Sequence, residues 1–160
     1  MNSFIEYPDI ATLTKEQTDI TIYSATEEHA YLWADIFLES LPKCKWMSGY
    51  LKSRNIARFD VAISFLEDIT GRKKSGEQFF IANFRDEPVG IIRTYDYWTP
   101  GALKILSHFP LVLPKYQRKG IGKALVKYCI DWAYKNKYKE VWVESWSKDK
   151  SEIEFYESFF

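Results

Sequence analysis

Residues 111–125 read LVLPKYQRKGIGKAL, and this stretch guides the interpretation of the whole chain. An apolar strand ends at Pro114, and an amphipathic helical pattern begins after Gly120. The first turn of a helix offers N–H groups without intrahelical partners and the positive end of the helix dipole, so phosphate groups bind there readily. Gly120 and Gly122 carry no Cβ atom that would keep a diphosphate from the backbone. Three basic side chains add local positive charge: Arg118, Lys119 and Lys123.

Two common nucleotide-binding motifs do not fit this loop. The P-loop pattern GxxxxGK[ST] is absent, and the dinucleotide-binding pattern GxGxxG lacks its third glycine. The stretch is therefore expected to bind a phosphate-containing ligand of another kind.

Composition limits the classes of protein to which the chain can belong. Its 160 residues fit one domain, 1–160, and the 46% hydrophobic content argues against disorder. Lys and Arg together number 22, and Asp and Glu also number 22, so the formal net charge is zero. General binders of nucleic acid or anionic membranes carry excess positive charge, so we expect neither as a partner. There is no apolar run of transmembrane length and no signal-peptide pattern, so we expect a cytoplasmic protein. Cys44 and Cys129 fit no metal or redox spacing, and no metal site is expected.

Hydrophobic periodicity predicts a single α/β domain after an N-terminal arm, residues 1–18. The second predicted helix, residues 55–69, has an apolar stripe that includes Phe59 and Ile63. In chain order we expect a strand at 20–24, helices at 26–41 and 55–69, strands at 78–84, 89–98 and 104–113, a helix after Gly120, a strand at 140–146 and a helix at 152–159. This order predicts a mixed, largely antiparallel sheet flanked by helices.

The loop and its strand resemble the acetyl-CoA-binding motif of the GCN5-related N-acetyltransferase (GNAT) superfamily, [Q/R]-x-x-G-x-[G/A] after a V-x-P strand end. The order of elements over residues 20–160 is similar to that family too. The resemblance implies that the strand pairs with the pantetheine arm of acetyl-CoA through Leu111, Val112 and Leu113. It also implies that the loop holds the pyrophosphate with these residues: Gln117, Arg118, Lys119, Gly120, Ile121, Gly122, Lys123 and Ala124.

A second motif of the family, N-x-x-A-x-x-F-Y-x-x-x-G-F, is similar to residues 149–160. Phe155 and Tyr156 match it, whereas Asp149, Glu152 and Phe160 replace the Asn, the Ala and the Gly of the pattern. The two strands that the family usually adds after this helix are absent. We expect them to come from a partner in a homodimer or from the N-terminal arm, unless the chain is truncated.

Acetyl transfer to an amine needs a proton acceptor for the amine and a proton donor for the leaving thiolate. The resemblance places Tyr156 near the sulfur as the donor; the alternative is a core aromatic residue. His108, on the predicted strand before the loop, is the candidate base, because an ordinary histidine pKa near 6.5 suits proton uptake at neutral pH. Its alternative is a structural strand residue. Glu144 and Asp96 are the reserve bases.

The sequence thus predicts an N-acetyltransferase that moves the acetyl group of acetyl-CoA to a primary amine by direct attack. The acceptor is a small molecule or a peptide. Its pocket is expected between the first two helices and their connection, residues 41–55, which is basic and aromatic. A solvated loop explains the same residues. Two other readings stay open: a non-catalytic acyl-CoA-binding sensor, which needs neither Tyr156 nor His108, and a nucleotide-binding interaction domain.

Overall fold

The structure is a computed structural model that describes residues 19–41, 56–71, 76–105, 109–144 and 150–159. The strands are β1 (Ile20–Ser24), β2 (Gln78–Phe84), β3 (Glu87–Asp96), β4 (Ala102–Ile105), β5 (Leu111–Val112) and β6 (Glu140–Val143). The α-helices are α1 (Ala30–Ser40), α2 (Arg58–Gly71), α3 (Ile121–Lys135) and α4 (Lys150–Glu157), and short 3₁₀ turns lie at Glu27–His29 and Pro114–Tyr116.

The strands form one mixed sheet in the order β1-β2-β3-β4-β6, with β5 also paired to β3. All pairs are antiparallel except β4 with β6, which are parallel. β2 and β3 are joined by a turn at Arg85 and Asp86, whose φ angles of 48° and 66° are those of a tight hairpin turn. This arrangement confirms the predicted fold class, an α/β domain with a largely antiparallel sheet.

Helices cover both faces of the sheet. Adjacent residues of a strand point to opposite sides, and apolar side chains such as Phe79 and Phe80 therefore need a helix layer on each face. On one face, Trp33 of α1 stacks on Phe65 of α2 at 5.0 Å and meets the edge of Phe79 at 5.4 Å. On the other face, Phe80 contacts Tyr128 of α3 at 4.9 Å. The sheet between α1/α2 and α3 therefore forms the core.

The helix α1 begins with a capping arrangement that involves His29. The backbone N–H of Thr26 donates to Nδ1 of His29 at 2.9 Å, and the Thr26 hydroxyl lies 3.1 Å from the same nitrogen. His29 is thus a capping residue.

The predicted single strand at 104–113 is wrong. β4 and β5 are two separate strands that pair with successive segments of β3: Leu103 lies opposite Asp96 and Ile105 opposite Thr94, whereas Leu111 lies opposite Ile91. Five residues separate Ile105 from Leu111 where β3 has only two between Ile91 and Thr94. The register of the two strands on β3 therefore differs, and a continuous ladder cannot form.

The predicted apolar stripe of α2 is also partly wrong. Phe59 is 61% exposed and Ile63 is 38% exposed, while the side chains buried on this helix are Val61, Ala62 and Phe65. Phe65 determines which face of α2 is buried, because its ring packs against Trp33 of α1.

Several expectations concern residues outside the described ranges, namely the N-terminal arm at 1–18 and most of the acceptor connection at 41–55. Within the described ranges, no helix combines the length and the apolar character that crossing a membrane requires.

Candidate functional site

The predicted phosphate loop connects β5 to α3 through a 3₁₀ turn at Pro114–Tyr116. The chain reverses at Arg118 and Gly120, which have φ angles of 63° and 83°. Gly120 is the N-cap of α3, and the N–H of Ala124 donates to its carbonyl at 3.0 Å. The amide groups of residues 121–123 precede the first intrahelical bond, so this N-terminus can donate hydrogen bonds to an anion.

The strand before the loop presents one backbone edge away from the sheet. Leu113 donates its N–H to the carbonyl of Val89 at 2.8 Å, so its backbone faces β3. Successive residues of a strand direct their backbone groups to opposite edges, so those of Val112 face away from β3. The side-chain amide of Gln117 donates to the Val112 carbonyl at 3.1 Å, which ties the loop to this edge.

The two glycines of the loop have different surroundings. A Cβ atom on Gly120 would meet no protein atom within 4 Å, so space is open in front of this turn. A Cβ atom on Gly122 would lie 3.5 Å from both Pro110 and Phe155, which is ordinary van der Waals contact. Gly120 therefore borders open space, whereas Gly122 faces the protein between α3 and α4.

A second set of contacts holds the loop against the β2–β3 hairpin. The Tyr116 hydroxyl donates to the carboxylate of Glu87, and this contact raises the Tyr116 pKa. Two cations lie over the ring of Phe84, Arg85 at 5.1 Å and Lys119 at 5.7 Å from its centre. Sequence reasoning missed these contacts, because the hairpin and the loop are far apart in the chain.

The sheet divides beside this loop. β4 and β6 run parallel as far as the pair Ile105 and Val143. β5 continues along β3 instead, and within the described ranges no strand pairs with its other edge. The outward backbone edge of Val112 therefore borders this division, and the Gln117 side chain joins it to the loop.

Tyr156 of α4 reaches this division from the core. It is only 6% exposed, and its hydroxyl donates to the carbonyl of Phe109, two residues before β5. Burial is the main cause that raises its pKa, with the nearby Glu152 carboxyl next in importance. The phenol is therefore protonated at neutral pH, and its hydrogen is engaged by a backbone oxygen.

Of the three candidate bases, the structure describes the two reserve residues, Asp96 and Glu144. His108 lies outside the described residues. Asp96 accepts hydrogen bonds from the N–H of Gly76 at 3.0 Å and from the hydroxyl of Tyr138, which are contacts typical of a structural carboxylate. Glu144 is paired with the ammonium group of Lys104 and remains 59% exposed.

Cys129 on α3 is free and buried, and burial strongly raises its pKa. It is thus an unreactive core thiol. Cys44 lies outside the described residues.

Solved structures with the same fold cover nearly the whole chain. A possible acetyltransferase from Clostridium difficile 630 matches with a TM-score of 0.68 and 18% identity over 88% of each chain. The PaiA N-acetyltransferase from Thermoplasma acidophilum, solved with coenzyme A, matches with a TM-score of 0.66 and 14% identity over 88% of this chain and 87% of that one. An aminoglycoside acetyltransferase from an uncultured soil metagenomic sample, solved with sisomicin, has a TM-score of 0.63 and 18% identity over 90% and 89%.

No curated protein sequence matches the chain significantly. The family model for the acetyltransferase (GNAT) family, in contrast, matches residues 30–160, from the start of α1 to the last residue. This match includes the loop, the divided sheet and α4, and these elements are arranged as in the solved acetyltransferases of the same fold. The chain therefore belongs to the GNAT family of acetyltransferases.

Proposed function

We propose that this protein is an N-acetyltransferase that transfers the acetyl group of acetyl-CoA to a primary amine by direct attack. The observation that carries the proposal is the open turn at Gly120 together with the outward backbone edge of Val112, which the Gln117 side chain joins to the same loop. A diphosphate and an amide-containing arm need these two features next to each other: N–H donors for the first and a strand edge for the second.

The loop residues are proposed to bind the cofactor in two groups. The backbone amides at the start of α3 hold the pyrophosphate, supported by the charges of Arg118, Lys119 and Lys123. The outward backbone groups of Val112 pair with the pantetheine arm. Because Gln117 now occupies the Val112 carbonyl, its side chain must move when the arm takes that acceptor.

Tyr156 is proposed to donate the proton that the leaving thiolate needs. Its raised pKa keeps the phenol protonated, as a general acid must be at the start of the reaction. The hydrogen bond to Phe109 O has to be exchanged for one to the sulfur. The same bond supports a purely structural role, and the two roles are separated by kinetics.

His108 is proposed to take the proton of the attacking amine, directly or through a water molecule. Asp96 is a weaker candidate, because two donors already satisfy its carboxylate. Glu144 is the other reserve candidate, and its carboxylate is already paired with Lys104.

The decisive experiment measures thiol release from acetyl-CoA with a panel of primary amines. Turnover that depends on an added amine supports the enzyme and identifies the acceptor class. Acetyl-CoA binding without turnover on any amine favours the non-catalytic sensor. The aminoglycoside acetyltransferase of the same fold, solved with sisomicin, makes aminoglycosides sensible members of the panel.

A further inference from the structure

The β2–β3 hairpin and the cofactor loop together form a surface of aromatic rings and cations. Arg85 of the hairpin and Lys119 of the loop both lie within 6 Å of the Phe84 ring centre, at 5.1 Å and 5.7 Å. The ring of Tyr116 adjoins that of Phe84 at 6.0 Å. We call these four residues the hairpin surface: Phe84, Arg85, Tyr116 and Lys119. Two of them, Phe84 and Arg85, lie far from the loop in the sequence, so only folding brings the surface together.

The hairpin surface lies on the face of the sheet that carries α3. Phe80 contacts Tyr128 of α3, and Phe84, four residues later in the same strand, points to the same side. Lys119 immediately precedes Gly120, the N-cap of α3. The surface therefore borders the start of α3, where the pyrophosphate is proposed to bind.

The hairpin surface and the outward edge of β5 lie on opposite sides of the loop. The outward backbone groups of Val112 face away from β3, because the next residue, Leu113, donates its N–H to that strand. The hairpin, in contrast, is the beginning of β3 itself, and the Tyr116 hydroxyl ties the loop to Glu87, the first residue of this strand. A ligand with its pyrophosphate at the start of α3 can therefore extend in two directions, along Val112 and over the hairpin.

Lys119 supplies a positive charge that no carboxylate balances within the part of the chain that the structure describes. Its side chain is exposed, and the ion pairs found there do not include it. The neighbouring Arg118 is not part of those ion pairs either. Because the whole chain has a formal net charge of zero, this excess is local and favours an anionic group beside the loop.

Arg85 has a different role, because Asp19 already balances its charge. The Asp19 carboxylate contacts Nε of Arg85 at 3.1 Å, and the Asp19 carbonyl accepts the Arg85 backbone N–H at 3.0 Å. These contacts hold the guanidinium beside the Phe84 ring, while the Arg85 side chain remains 72% exposed. A held, exposed guanidinium plane is a suitable surface for a flat heteroaromatic ring, since arginine stacks on the bases of nucleotides.

We propose that the hairpin surface binds the 3′-phosphoadenosine end of acetyl-CoA, with Lys119 at the 3′-phosphate and Arg85 stacked on the adenine. This inference rests on the proposed function, since it assigns a further part of the same cofactor. In acetyl-CoA the nucleotide and the pantetheine arm are joined to opposite ends of the pyrophosphate. The two directions that lead away from the start of α3 match this arrangement, with the arm along Val112 and the nucleotide over the hairpin.

Isothermal titration of the full chain with CoA and with 3′-dephospho-CoA tests the proposal, because the two compounds differ only in the 3′-phosphate. We expect the parent to bind CoA more tightly, by up to about fivefold, the range of an exposed ion pair. Added salt should reduce this preference. Lys119→Gln should abolish it, so that both compounds bind with equal affinity.

Lys123→Gln is the matched control, because it removes the same charge from the first turn of α3. It should weaken the binding of both compounds equally and keep the preference for CoA. Arg85→Ala should also weaken the binding of both compounds by one factor, since both contain adenine.

The proposal is overturned if the parent binds the two compounds equally, if Lys119→Gln keeps the preference, or if Arg85→Ala binds both compounds like the parent. Each of these results leaves the proposed function standing. A parent that binds neither compound, in contrast, contradicts both the proposed function and the inference.

Discussion

The hydroxyl of Tyr156 donates a hydrogen bond to the carbonyl oxygen of Phe109, which ties helix α4 to the segment that leads into β5. Phe109 also contacts Trp33 of α1, with ring centres 5.9 Å apart. The proposed proton donor is thus part of the link between the C-terminal helix and the core. Its removal is expected to have both a structural and a chemical effect, and the two can be measured independently.

Tyr156→Phe should lower kcat by about 10²–10⁴-fold, because the thiolate loses its general acid. It should also lower the free energy of unfolding by about 1–3 kcal/mol, since the buried carbonyl of Phe109 loses its donor. Steady-state kinetics at saturating acetyl-CoA and urea unfolding measure the two effects. Tyr134→Phe, at an exposed position on α3, is the control and should change neither. A loss of stability with an unchanged kcat would make Tyr156 a purely structural residue.

Acetyl-CoA should raise the melting temperature, because a ligand at 100 times its Kd stabilises the native state by about 2.7 kcal/mol. Gly122→Glu should abolish this shift, since it adds a negative charge to the first turn of α3, whose amides are proposed to hold the pyrophosphate, and its long side chain crowds Pro110 and Phe155. Gly71→Glu is the control, because a Cβ atom there meets nothing within 4 Å. A Gly122→Glu protein that melts like the parent and keeps the full shift would refute the assignment of residues 117–124.

The two loop glycines should respond differently to alanine. Gly120→Ala should cost about 1 kcal/mol of unfolding free energy, because φ at this residue is 83° and an L side chain is strained there. Gly122→Ala should leave stability unchanged or raise it, since the methyl group makes ordinary contacts within a helix. Urea unfolding of both variants gives the comparison. Equal effects would show that backbone conformation is not what requires glycine at position 120.

We expect kcat/KM for the acceptor to fall as the pH drops below about 6–7, the range typical of histidine, because a protonated base cannot accept the proton of the amine. His108→Gln should remove this acidic limb and retain acetyl-CoA binding. The measurement is a pH profile of kcat/KM for both proteins. If the same limb persists in His108→Gln, another group is the base, and Glu144→Gln is the next variant. A rate that rises in both proteins up to the pKa of the amine itself would mean that no enzymic base is needed.

Much of the fold could be predicted because its elements have strong local patterns. β1 and β2 have the predicted bounds, and α3 begins immediately after Gly120 and ends before Asn136, as expected. The hairpin between β2 and β3 was expected too, although its turn uses only Arg85 and Asp86. In each case neighbouring residues carry the signal: alternation, helical spacing, or a turn.

The candidate site could be predicted only in part. The phosphate loop is continuous in the sequence, so glycines, basic residues and the helix start that follows all lie within residues 114–125. The stacking of Tyr97 on Trp142 has no such signal, because the residue after β3 and strand β6 are far apart in the chain. The hydrogen bond from Tyr156 to Phe109 is equally non-local.

The amino-acid sequence by itself determined the class of fold and the start of α3 directly after Gly120, because both depend on the local hydrophobic period. Only the tertiary structure decided that residues 104–113 form two strands, since both compete for the same neighbour, β3, in different registers. It also decided which face of α2 is buried, because Phe65 packs on Trp33 and leaves Phe59 in solvent. Strand pairing and side-chain packing join residues from distant parts of the chain, and no local pattern specifies such partners.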